Sequence, residues 1–514
     1  MTQSDLHPTI RKFREREEAG NPPARLSILD SAWLRKLCLD AGADDVGFVE
    51  ASRPEVADQK PEITQLLRKT KTLISLVCRL NRDNVRPPTR SLANLEFHHG
   101  TDHVNDVTRK IVSALERLQV RAVNGGAAGF PMEADRWGTK MWLISHKPVA
   151  VAAGLGHMGI HRNVIHPKFG NFVLLGTVLM DAEVTEYARP LDYNPCLECK
   201  LCVAACPTGA IASDGHFNFS AFYTHNYREF MGGFTDWVEA IAASRSVQEY
   251  REQISARETV SMWQSLSFGA NYKAAYCMAV CPAGEDVIAP FLTNRKEFLE
   301  DIVKPLQNRA ETVYVVPNSD AEEYVAGRFP NKKTKRVANG LAGQGSIRAF
   351  LRGLNFAFER GKSEGLNVVY HFTFTGDEQV EATVVIRDRK LTVSEGHSGT
   401  ADLRVTADSR TWLSFLRKEA RLVWALVRRK IRMQGSPRLL LAFGRCFPAR
   451  KNNMTNKTQT ILVRLTREEH DRRGCAGTNR AGLCATRPQR ASDGSNVSSN
   501  GAISQELHMV LMRG

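Results

Sequence analysis

The chain has 514 residues, of which 42% are hydrophobic and 24% are charged. This length suits several domains with cores of their own and excludes a single small domain. No apolar run approaches the roughly 20 residues that a membrane-spanning helix needs. The N-terminal segment also lacks the apolar core and cleavage site of an export signal. We therefore expect a cytoplasmic protein without a transmembrane segment.

Basic residues outnumber acidic ones, 70 to 55, which gives a formal net charge of +15. The tail that starts at Ala449 carries +6 of this excess. The remaining basic residues do not form one stripe, as a nucleic-acid groove would require. We interpret them as a solvated surface, and we do not expect a nucleic-acid partner.

The N-terminal third predicts an α/β or α+β core. Residues 1–30 are charged and are predicted to form a flexible arm, followed by a helix from Ser31 to Ala41. Residues 31–190 then alternate apolar runs with helical stretches. The expected strands and helix are Thr72 to Cys78, Met141 to Ser145, Phe172 to Met180 and the helix Val104 to Leu118.

Four further segments follow. Residues 191–290 are rich in cysteine and carry a helical, aromatic insert. Residues 291–339 are a connecting segment that includes a short α/β stretch, Thr312 to Val325, and ends in a basic linker at 330–336. Residues 340–448 form a compact α+β module, and residues 449–514 a disordered basic tail. The module is expected to contain strands at Val368 to Phe374, Ala382 to Ile386, Leu391 to Val393 and Leu403 to Thr406, and helices at Ser409 to Arg417 and Ala420 to Lys430.

Eleven cysteines are present, and six of them fall within 86 residues. Clustered cysteines without an export signal favour metal or redox chemistry over structural disulfides. Cys38, Cys78 and Cys446 are predicted to be plain buried thiols. The clustered six are Cys196, Cys199, Cys202, Cys206, Cys277 and Cys281.

The first four of these cysteines form the run C-x2-C-x2-C-x3-C-P that ends at Pro207. In bacterial ferredoxins this spacing wraps three thiolates around one 4Fe-4S cluster and sends the fourth to another cluster. Cys281 is followed by Pro282 and is predicted to join Cys196, Cys199 and Cys202. Cys206 and Cys277 would then belong to a second cluster. A structural zinc site is the alternative for these thiols.

The second cluster is short of ligands. A complete second motif would carry cysteines near positions 271 and 274, where the chain has Asn271 and Ala274. The sequence therefore predicts one cluster and leaves the second open.

A glycine-rich segment precedes the cysteines. Its glycines fit G-x-G-x-x-G, but no acidic ribose partner follows, so a dinucleotide fold is rejected. Glycine at these positions instead suggests close backbone approach to a bulky ligand. The segment comprises Gly154, Gly156 and Gly159 with the polar residues His157, His161, Asn163 and His166.

This segment and the cysteine motifs together resemble epoxyqueuosine reductases and the catalytic core of reductive dehalogenases, over roughly residues 40–290. The resemblance rests on Ala153 to Gly159, Asn163, Pro167, Gly170, Leu175-Gly176 and Asp181. It implies a nitroreductase-like core that holds a corrinoid (cobalamin), with 4Fe-4S clusters delivering electrons to its cobalt. By the same resemblance, the corrinoid would be lined by Gly154, Gly156, His157, Gly159, His161 and Asn163.

The chain departs from this family at three places. His157 stands where the family has Trp, Phe222 falls near a usual cluster ligand, and residues 144–147 lack the expected catalytic Asp. We therefore rank tRNA epoxyqueuosine last among the substrates. Proton donors could instead be His146, His157 or Tyr223, because imidazole and phenol can protonate a developing anion. A structural role remains the alternative for each histidine.

Residues 340–448 resemble sterol-carrier-protein lipid-binding domains, through their strands, the helix after Ala407-Asp408-Ser409, and the segment Ile431 to Pro437. The resemblance implies an apolar tunnel for acyl chains or sterols, and the sequence leaves open whether it is packed shut.

The predicted fold class is a multidomain α+β protein: a nitroreductase-like α/β core, a ferredoxin-like module, a sterol-carrier-like domain and a disordered tail. Two functions follow. The first is an iron–sulfur oxidoreductase, with or without cobalamin, that reduces a hydrophobic or lipid-like substrate. Its electrons would come from a low-potential donor such as ferredoxin or flavodoxin. The alternative is a non-catalytic electron-transfer and lipid-binding protein.

Overall fold

A computed structural model describes residues 7–19, 26–125, 144–273, 275–337, 345–417, 419–420, 425 and 427–448. The predicted tail 449–514 lies outside these residues, as do most of the predicted strand Met141 to Ser145 and much of the predicted helix Ala420 to Lys430. In the described part of the chain, no helix has the length and apolar character needed to cross a membrane.

The strands are numbered in chain order. They are β1 Ile28–Leu29, β2 Asp45–Glu50, β3 Thr72–Arg79, β4 Ala122–Asn124, β5 His157–Met158, β6 Val164–Ile165, β7 Val173–Met180, β8 Glu183–Val184, β9 Thr312–Val315, β10 Lys333–Arg336, β11 Val368–Thr375, β12 Val380–Arg387, β13 Lys390–Glu395, β14 Leu403–Asp408 and β15 Ile431–Gly435.

The helices are numbered in the same way, and short 3-10 or π turns at Pro54–Gln59, Leu299–Val303 and Gly361–Ser363 are left unnumbered. The helices are α1 Pro8–Ala19, α2 Ser31–Ala41, α3 Lys60–Leu66, α4 Arg82–Val85, α5 Arg90–Arg117, α6 His146–Ala152, α7 Leu201–Ala205, α8 Phe219–Asn226, α9 Met231–Ala243, α10 Val247–Gln253, α11 Ala256–Phe268, α12 Tyr276–Ala279, α13 Ala289–Thr293, α14 Arg295–Phe298, α15 Lys304–Asn308, α16 Asp320–Arg328, α17 Ile347–Ala357, α18 Ser409–Leu416 and α19 Pro437–Arg445.

A four-stranded sheet in the order β2-β3-β7-β4, with every neighbouring pair antiparallel, builds the N-terminal core. Side chains of β3 alternate between its faces, as the period of a strand requires. Ile74 and Leu76 pack toward α2 and α5, whereas Leu73 and Val77 pack toward α3 and α6. Helices therefore cover both faces, which explains why β3 is a continuous apolar run. The predicted strands at Thr72 and Phe172 and the helix at Ser31 are confirmed.

The predicted flexible arm at 1–30 contains regular structure. Its residues Pro8–Ala19 form α1, in which proline occupies the first turn and good helix formers follow. Ile28 pairs with Glu183 in the parallel bridge between β1 and β8. Nearly all of α1 is exposed and β1 is held by backbone pairing. Neither element therefore carries the apolar periodicity on which the prediction relied.

The prediction that residues 330–336 form a basic linker is wrong. Lys333–Arg336 form β10, which pairs in parallel with β9. The preceding Lys332 is buried, and its Nζ donates to Glu311 Oε1 at 2.8 Å. Strand pairing and an ion pair stabilise this segment, so its poverty in apolar residues was misleading. The connecting segment shares one core with the cysteine module through Leu306, Val313 and Val325.

The C-terminal module is a five-stranded sheet in the order β13-β12-β11-β14-β15. β11 and β14 run parallel and the other neighbours are antiparallel. Tyr370, Phe372 and Phe374 alternate along β11 and bury their rings in one core with Trp412 of α18. The four predicted strands and the helix at Ser409 are confirmed, while β15 had not been predicted as a strand.

The cysteine module contacts the C-terminal domain through a small polar seam. Asn218 Nδ2 donates to Glu359 Oε2 at 2.9 Å, and the Asp320 backbone N–H donates to the same oxygen at 3.1 Å. Phe219 and Phe356 meet edge to face beside it. Burial, together with the nearby Asp320 charge, raises the pKa of Glu359 to about 7. The seam holds α17 against α8.

Candidate metal centre

Four of the predicted cluster ligands line one cavity. Cys196, Cys199, Cys202 and Cys281 surround it together with Ile160 and His161. Three of these thiols come from the first motif and one from a segment about 80 residues later in the chain. The structure thus brings together the four cysteines that the ferredoxin spacing assigns to one cluster.

The loop of the first motif is built around unusual backbone. Glu198 and Lys200 both have positive φ, at 49° and 61°, which is rare for residues with a side chain. Cys196 N–H donates to Asn194 Oδ1 at 2.9 Å at the start of the loop. Left-handed residues between the cysteines turn the chain tightly, so that successive thiols point into the same cavity.

Two glycines bring the distant Cys281 to this loop. A side chain at Gly170, whose φ is +65°, would overlap the carbonyl of Ala283. One at Gly284 would overlap the backbone of Gly170. The segment after Cys281 therefore packs directly on the segment after His166, which only glycine permits.

Burial makes the thiolate form of these cysteines unfavourable, and binding to a metal cluster would stabilise that form. Burial, with the neighbouring thiols, raises the pKa of Cys202 far above its usual range. Burial likewise raises the pKa of Cys281 to about 12. Cluster iron binds thiolates and neutralises their mutual repulsion, so this donor set fits a 4Fe-4S cluster. Among the described residues, no group of three or more His, Cys, Asp or Glu side chains is arranged to hold a metal ion, so the fit to a cluster rests on the residue types and the cavity they share.

The second motif repeats the backbone of the first. Ala275, with φ 67° and ψ 17°, precedes α12 as Lys200, with φ 61° and ψ 13°, precedes α7. Cys277 therefore occupies the position equivalent to Cys202, and Asn271 the position equivalent to Cys196. α7 and α12 pack on each other. The partial duplication seen in the sequence is thus a duplication of structure.

The missing ligands of the second motif have other roles. Asn271 Nδ2 donates to Glu229 Oε2 at 2.7 Å, and its Oδ1 accepts from Asn94 Nδ2 at 2.7 Å. Phe222 packs against Phe217 and Tyr227. Cys206 and Cys277 remain as two thiols, which do not fit the four-ligand set of a 4Fe-4S cluster.

The glycines predicted to approach a bulky cofactor approach the chain itself. A side chain at Gly154, whose φ is +68°, would overlap the Arg189 carbonyl, and one at Gly156 would overlap the Ile165 carbonyl. At Gly159 the neighbours are Ile165 and His161. These positions are explained by internal packing, so they give no cradle for a corrinoid, and its binding stays a prediction from resemblance.

His161 lies in the wall of the cysteine cavity and is held neutral. Burial, with the nearby Lys147 ammonium, lowers its pKa to about 4. Its Nδ1 accepts from Asn163 N–H at 3.1 Å, so the ring proton is on Nε2. Nε2 lies 3.1 Å from Asn171 Nδ2, and Asn171 Oδ1 is buried without a partner among the described residues. Rotating this amide by 180° exchanges the two atoms and gives the Nε2 proton its acceptor. His161 therefore forms a buried, hydrogen-bonded part of the cavity wall.

The three predicted proton donors lie in different surroundings. His146 is buried, with Nδ1 at 2.9 Å from Thr177 Oγ1. His157 is partly exposed, with Nδ1 at 3.3 Å from the Met158 carbonyl. Burial raises the pKa of Tyr223, which packs on Tyr227 at 5.2 Å between ring centroids. Their catalytic role stays a prediction.

Lys147 is a functional candidate that the sequence analysis missed. Its Nζ donates to the Arg162 carbonyl at 2.6 Å and to Asn163 Oδ1 at 3.0 Å. The side chain is solvent-accessible, yet the surrounding protein lowers its pKa. The sequence held no signal beyond its place before Pro148.

Two family models match parts of the chain. The model described as a 4Fe-4S binding domain matches residues 190–212, and the model described as the SCP-2 sterol transfer family matches residues 354–448. The predicted iron–sulfur module and sterol-carrier-type domain are confirmed.

Curated relatives match the N-terminal part. An epoxyqueuosine reductase of Lactococcus garvieae is 22% identical over 287 residues, covering 50% of this chain and 70% of the relative. One of Cellulophaga algicola is 34% identical over 151 residues, covering 28% of this chain and 46% of the relative. The resemblance to epoxyqueuosine reductases is confirmed. These matches do not support ranking tRNA epoxyqueuosine last.

Solved structures give weaker likenesses. Epoxyqueuosine reductase from Streptococcus thermophilus is 18% identical with a TM-score of 0.31, covering 54% of this chain and 78% of that one. A catabolic reductive dehalogenase is 16% identical with a TM-score of 0.28, covering 35% and 25%. The sequence matches and the domain model support an iron–sulfur oxidoreductase.

Proposed function

We propose that this chain is a reductase in which a single 4Fe-4S cluster, held by Cys196, Cys199, Cys202 and Cys281, feeds electrons to a hydrophobic substrate. The observation that carries the proposal is that these four thiols line one cavity. When bound, the cluster accepts and releases one electron at a time. A low-potential protein such as ferredoxin or flavodoxin is the expected donor.

The substrate would be reduced beside the cluster, next to the cavity wall formed by Ile160 and His161. Ile160 and His161 form part of the cavity wall, and the chain continues directly to Arg162 and Asn163, which hold Lys147. The Lys147 ammonium can give a proton to a substrate that has gained electrons. His157, partly exposed nearby in sequence, is the second candidate donor. His161 would keep the wall between the cysteine cavity and the Lys147 ammonium in a fixed arrangement.

The C-terminal domain would bind the apolar part of the substrate. Its core is aromatic, with Phe350, Phe372 and Phe374 around Trp412. Trp412 is 2% exposed, and its Nε1 is buried without a hydrogen-bond partner among the described residues. A buried indole N–H without an acceptor is unfavourable. An oxygen of a bound lipid or sterol would satisfy it.

Reduction of epoxyqueuosine in tRNA is the second candidate function. It is favoured by the name that the sequence relatives share. Its weak points are the three departures at His157, Phe222 and residues 144–147. The two candidates use the same cluster, so the substrate alone distinguishes them.

Anaerobically purified protein, reconstituted with and without cobalamin, tests the proposal. Iron, acid-labile sulfide and cobalt per chain are measured first, and we expect about four irons. The reduced protein is then mixed with tRNA bearing epoxyqueuosine, or with sterols, fatty acids and aromatic compounds, while cluster reoxidation is followed by absorbance. Reoxidation by a hydrophobic compound supports the first function, and reoxidation by the tRNA supports the second. Iron-free protein after reconstitution contradicts both, and cobalt uptake would support the corrinoid prediction.

A further inference from the structure

Arg86, just after α4, places a guanidinium in the interior between two aromatic rings. Its Cζ lies 5.5 Å from the ring centre of Phe172 and 5.6 Å from that of Phe298. Both rings belong to the core that also contains Cys202 and Cys206. Stacking on rings fixes a guanidinium in place but does not neutralise its charge.

Two nitrogens of the guanidinium lack a partner in the part of the chain that the structure describes. Its Nε and Nη2 are buried and have no hydrogen-bond partner among the described residues. Burial, with the nearby Arg82 charge, lowers the pKa of Arg86 to about 10, and the negative charges that counter this are those of Asp83 and Cys281. Asp83 is exposed to solvent. Arg86 as a whole is partly buried, but burying two nitrogens of a cation without partners is costly, so a compensating charge is expected when the protein is complete.

The two neighbouring arginines differ in this respect. Arg82 donates to the carbonyl of Asp286, and Arg90 donates to the carbonyl of Val85 at 2.8 Å and that of Pro87 at 3.1 Å. Their guanidinium groups thus bind carbonyls of the chain. Arg90 likewise stacks, at 5.2 Å from the ring centre of Tyr276, and Arg82 Nε is also buried without a partner among the described residues. Arg86 differs from both because it lies between two rings, has two buried nitrogens without partners in the described part of the chain, and has Cys281 as an electrostatic neighbour.

We propose that Arg86 is a positioning residue for the cluster, whose fixed positive charge favours the reduced state. The inference rests on the proposed function, since it needs the cluster at Cys281. A 4Fe-4S cluster with four thiolates is an anion, and reduction adds one electron, supplied by the low-potential donor, and one further negative charge. A cation close by in a medium of low dielectric lowers the energy of the more negative state. The same N–H groups can also donate to cluster sulfur, which raises the potential in the same direction.

The test is the midpoint potential of the reconstituted holoprotein, measured by a mediated redox titration with the reduced cluster followed by electron paramagnetic resonance. The variants are Arg86→Met, which removes the charge, and Arg86→Lys, which keeps it. At a fixed solution potential, we expect about a tenfold lower ratio of reduced to oxidised cluster in Arg86→Met, which corresponds to a midpoint about 59 mV more negative. Arg86→Lys should stay near the wild type.

The matched control is Arg410→Met, because this guanidinium is exposed in the C-terminal domain and pairs with Asp377 at 2.9 Å. It should leave the midpoint unchanged. Arg86→Met with full iron content and a wild-type midpoint would overturn the inference while leaving the proposed function intact. Should Arg86→Met lose its fold, Arg86→Gln replaces it under the same criterion. A shift as large in Arg86→Lys as in Arg86→Met would also overturn it, because charge would then not be the cause.

Discussion

The two halves of the duplicated cysteine motif share a backbone and differ in what they can bind. Lys200 and Ala275 adopt the same left-handed conformation before α7 and α12. The first half nevertheless contributes three thiols to a shared cavity, whereas the second contributes Cys281 to that cavity and leaves Cys277 outside it. A motif's backbone can thus persist while its ligand set is reduced, because backbone conformation and side-chain chemistry are determined separately.

Alanine substitution of equivalent cysteines should give the largest difference in iron content between the two halves. Cys202→Ala removes one of four ligands from a buried cluster, so we expect loss of nearly all iron. Cys277→Ala, at the equivalent position, should keep about four irons per chain. Iron and acid-labile sulfide are measured after identical reconstitution. Cys38→Ala, buried in the N-terminal core, is the control for loss of a thiol.

The same comparison can be made at the ends of the two motifs. Cys281→Ala should lose iron although it lies outside the first motif, and Cys206→Ala should not although it lies inside. Iron loss in Cys206→Ala and Cys277→Ala that leaves half the wild-type content would show that a second cluster assembles.

Substitution of Asn271 should have an effect of intermediate size, on the free energy of unfolding. Asn271→Ala removes one hydrogen bond from Glu229 and one from Asn94. Glu229 keeps Ser265 and Lys273 as partners, and Asn94 keeps the carbonyls of Arg90 and Tyr272. A hydrogen bond contributes about 0.5–1.5 kcal/mol, so the free energy of unfolding should fall by about 1–3 kcal/mol for the two bonds while iron content is unchanged. Denaturant unfolding is compared with that of Asn331→Ala, an exposed asparagine that donates to the Asn308 carbonyl. Equal effects in the two variants would show that the Asn271 network is not stabilising.

The smallest effect concerns the backbone that the halves share. Lys200→Gly and Ala275→Gly each relieve a left-handed conformation that a side chain disfavours by about 1–2 kcal/mol, less the greater entropy that glycine loses on folding. Both variants should be more stable by about 0.5–1 kcal/mol. Thermal unfolding of the holoproteins measures this. Stabilisation of only one variant would break the structural equivalence of the halves.

Much of the fold was visible in the sequence where apolar periodicity was strong. β3, β7, β11 and α2 were predicted close to their observed ends, because their side chains alternate or recur against a core. α1, β1 and β10 were missed or misassigned. These elements are stabilised by backbone pairing, intrinsic helix propensity or a buried ion pair, none of which leaves an apolar pattern.

The residues of the candidate site also fall into those that the sequence predicted and those that it did not. Local spacing predicted the loop at Cys196 to Cys202, since three ligands within seven residues can reach one cluster whatever the rest of the chain does. Lys147 and Arg86 were not predicted. Their surroundings come from residues far away in sequence, Arg162 and Asn163 for the first and Phe298 for the second.

By itself, the sequence determined the cysteine spacing, the iron–sulfur module and the order of the domains, because these depend on residues close together along the chain. Only the tertiary structure decided that the glycines at 154 and 156 pack on the chain's own carbonyls and that Asn271 is held in a hydrogen-bond network. It also placed the Arg86 guanidinium against Phe172 and Phe298, which belong to the core around the cysteines, with two nitrogens that have no partner among the described residues. Such contacts join residues from nine positions apart, as for Gly156 and Ile165, to more than 200 apart, as for Arg86 and Phe298, and their energies exist only once the chain has folded.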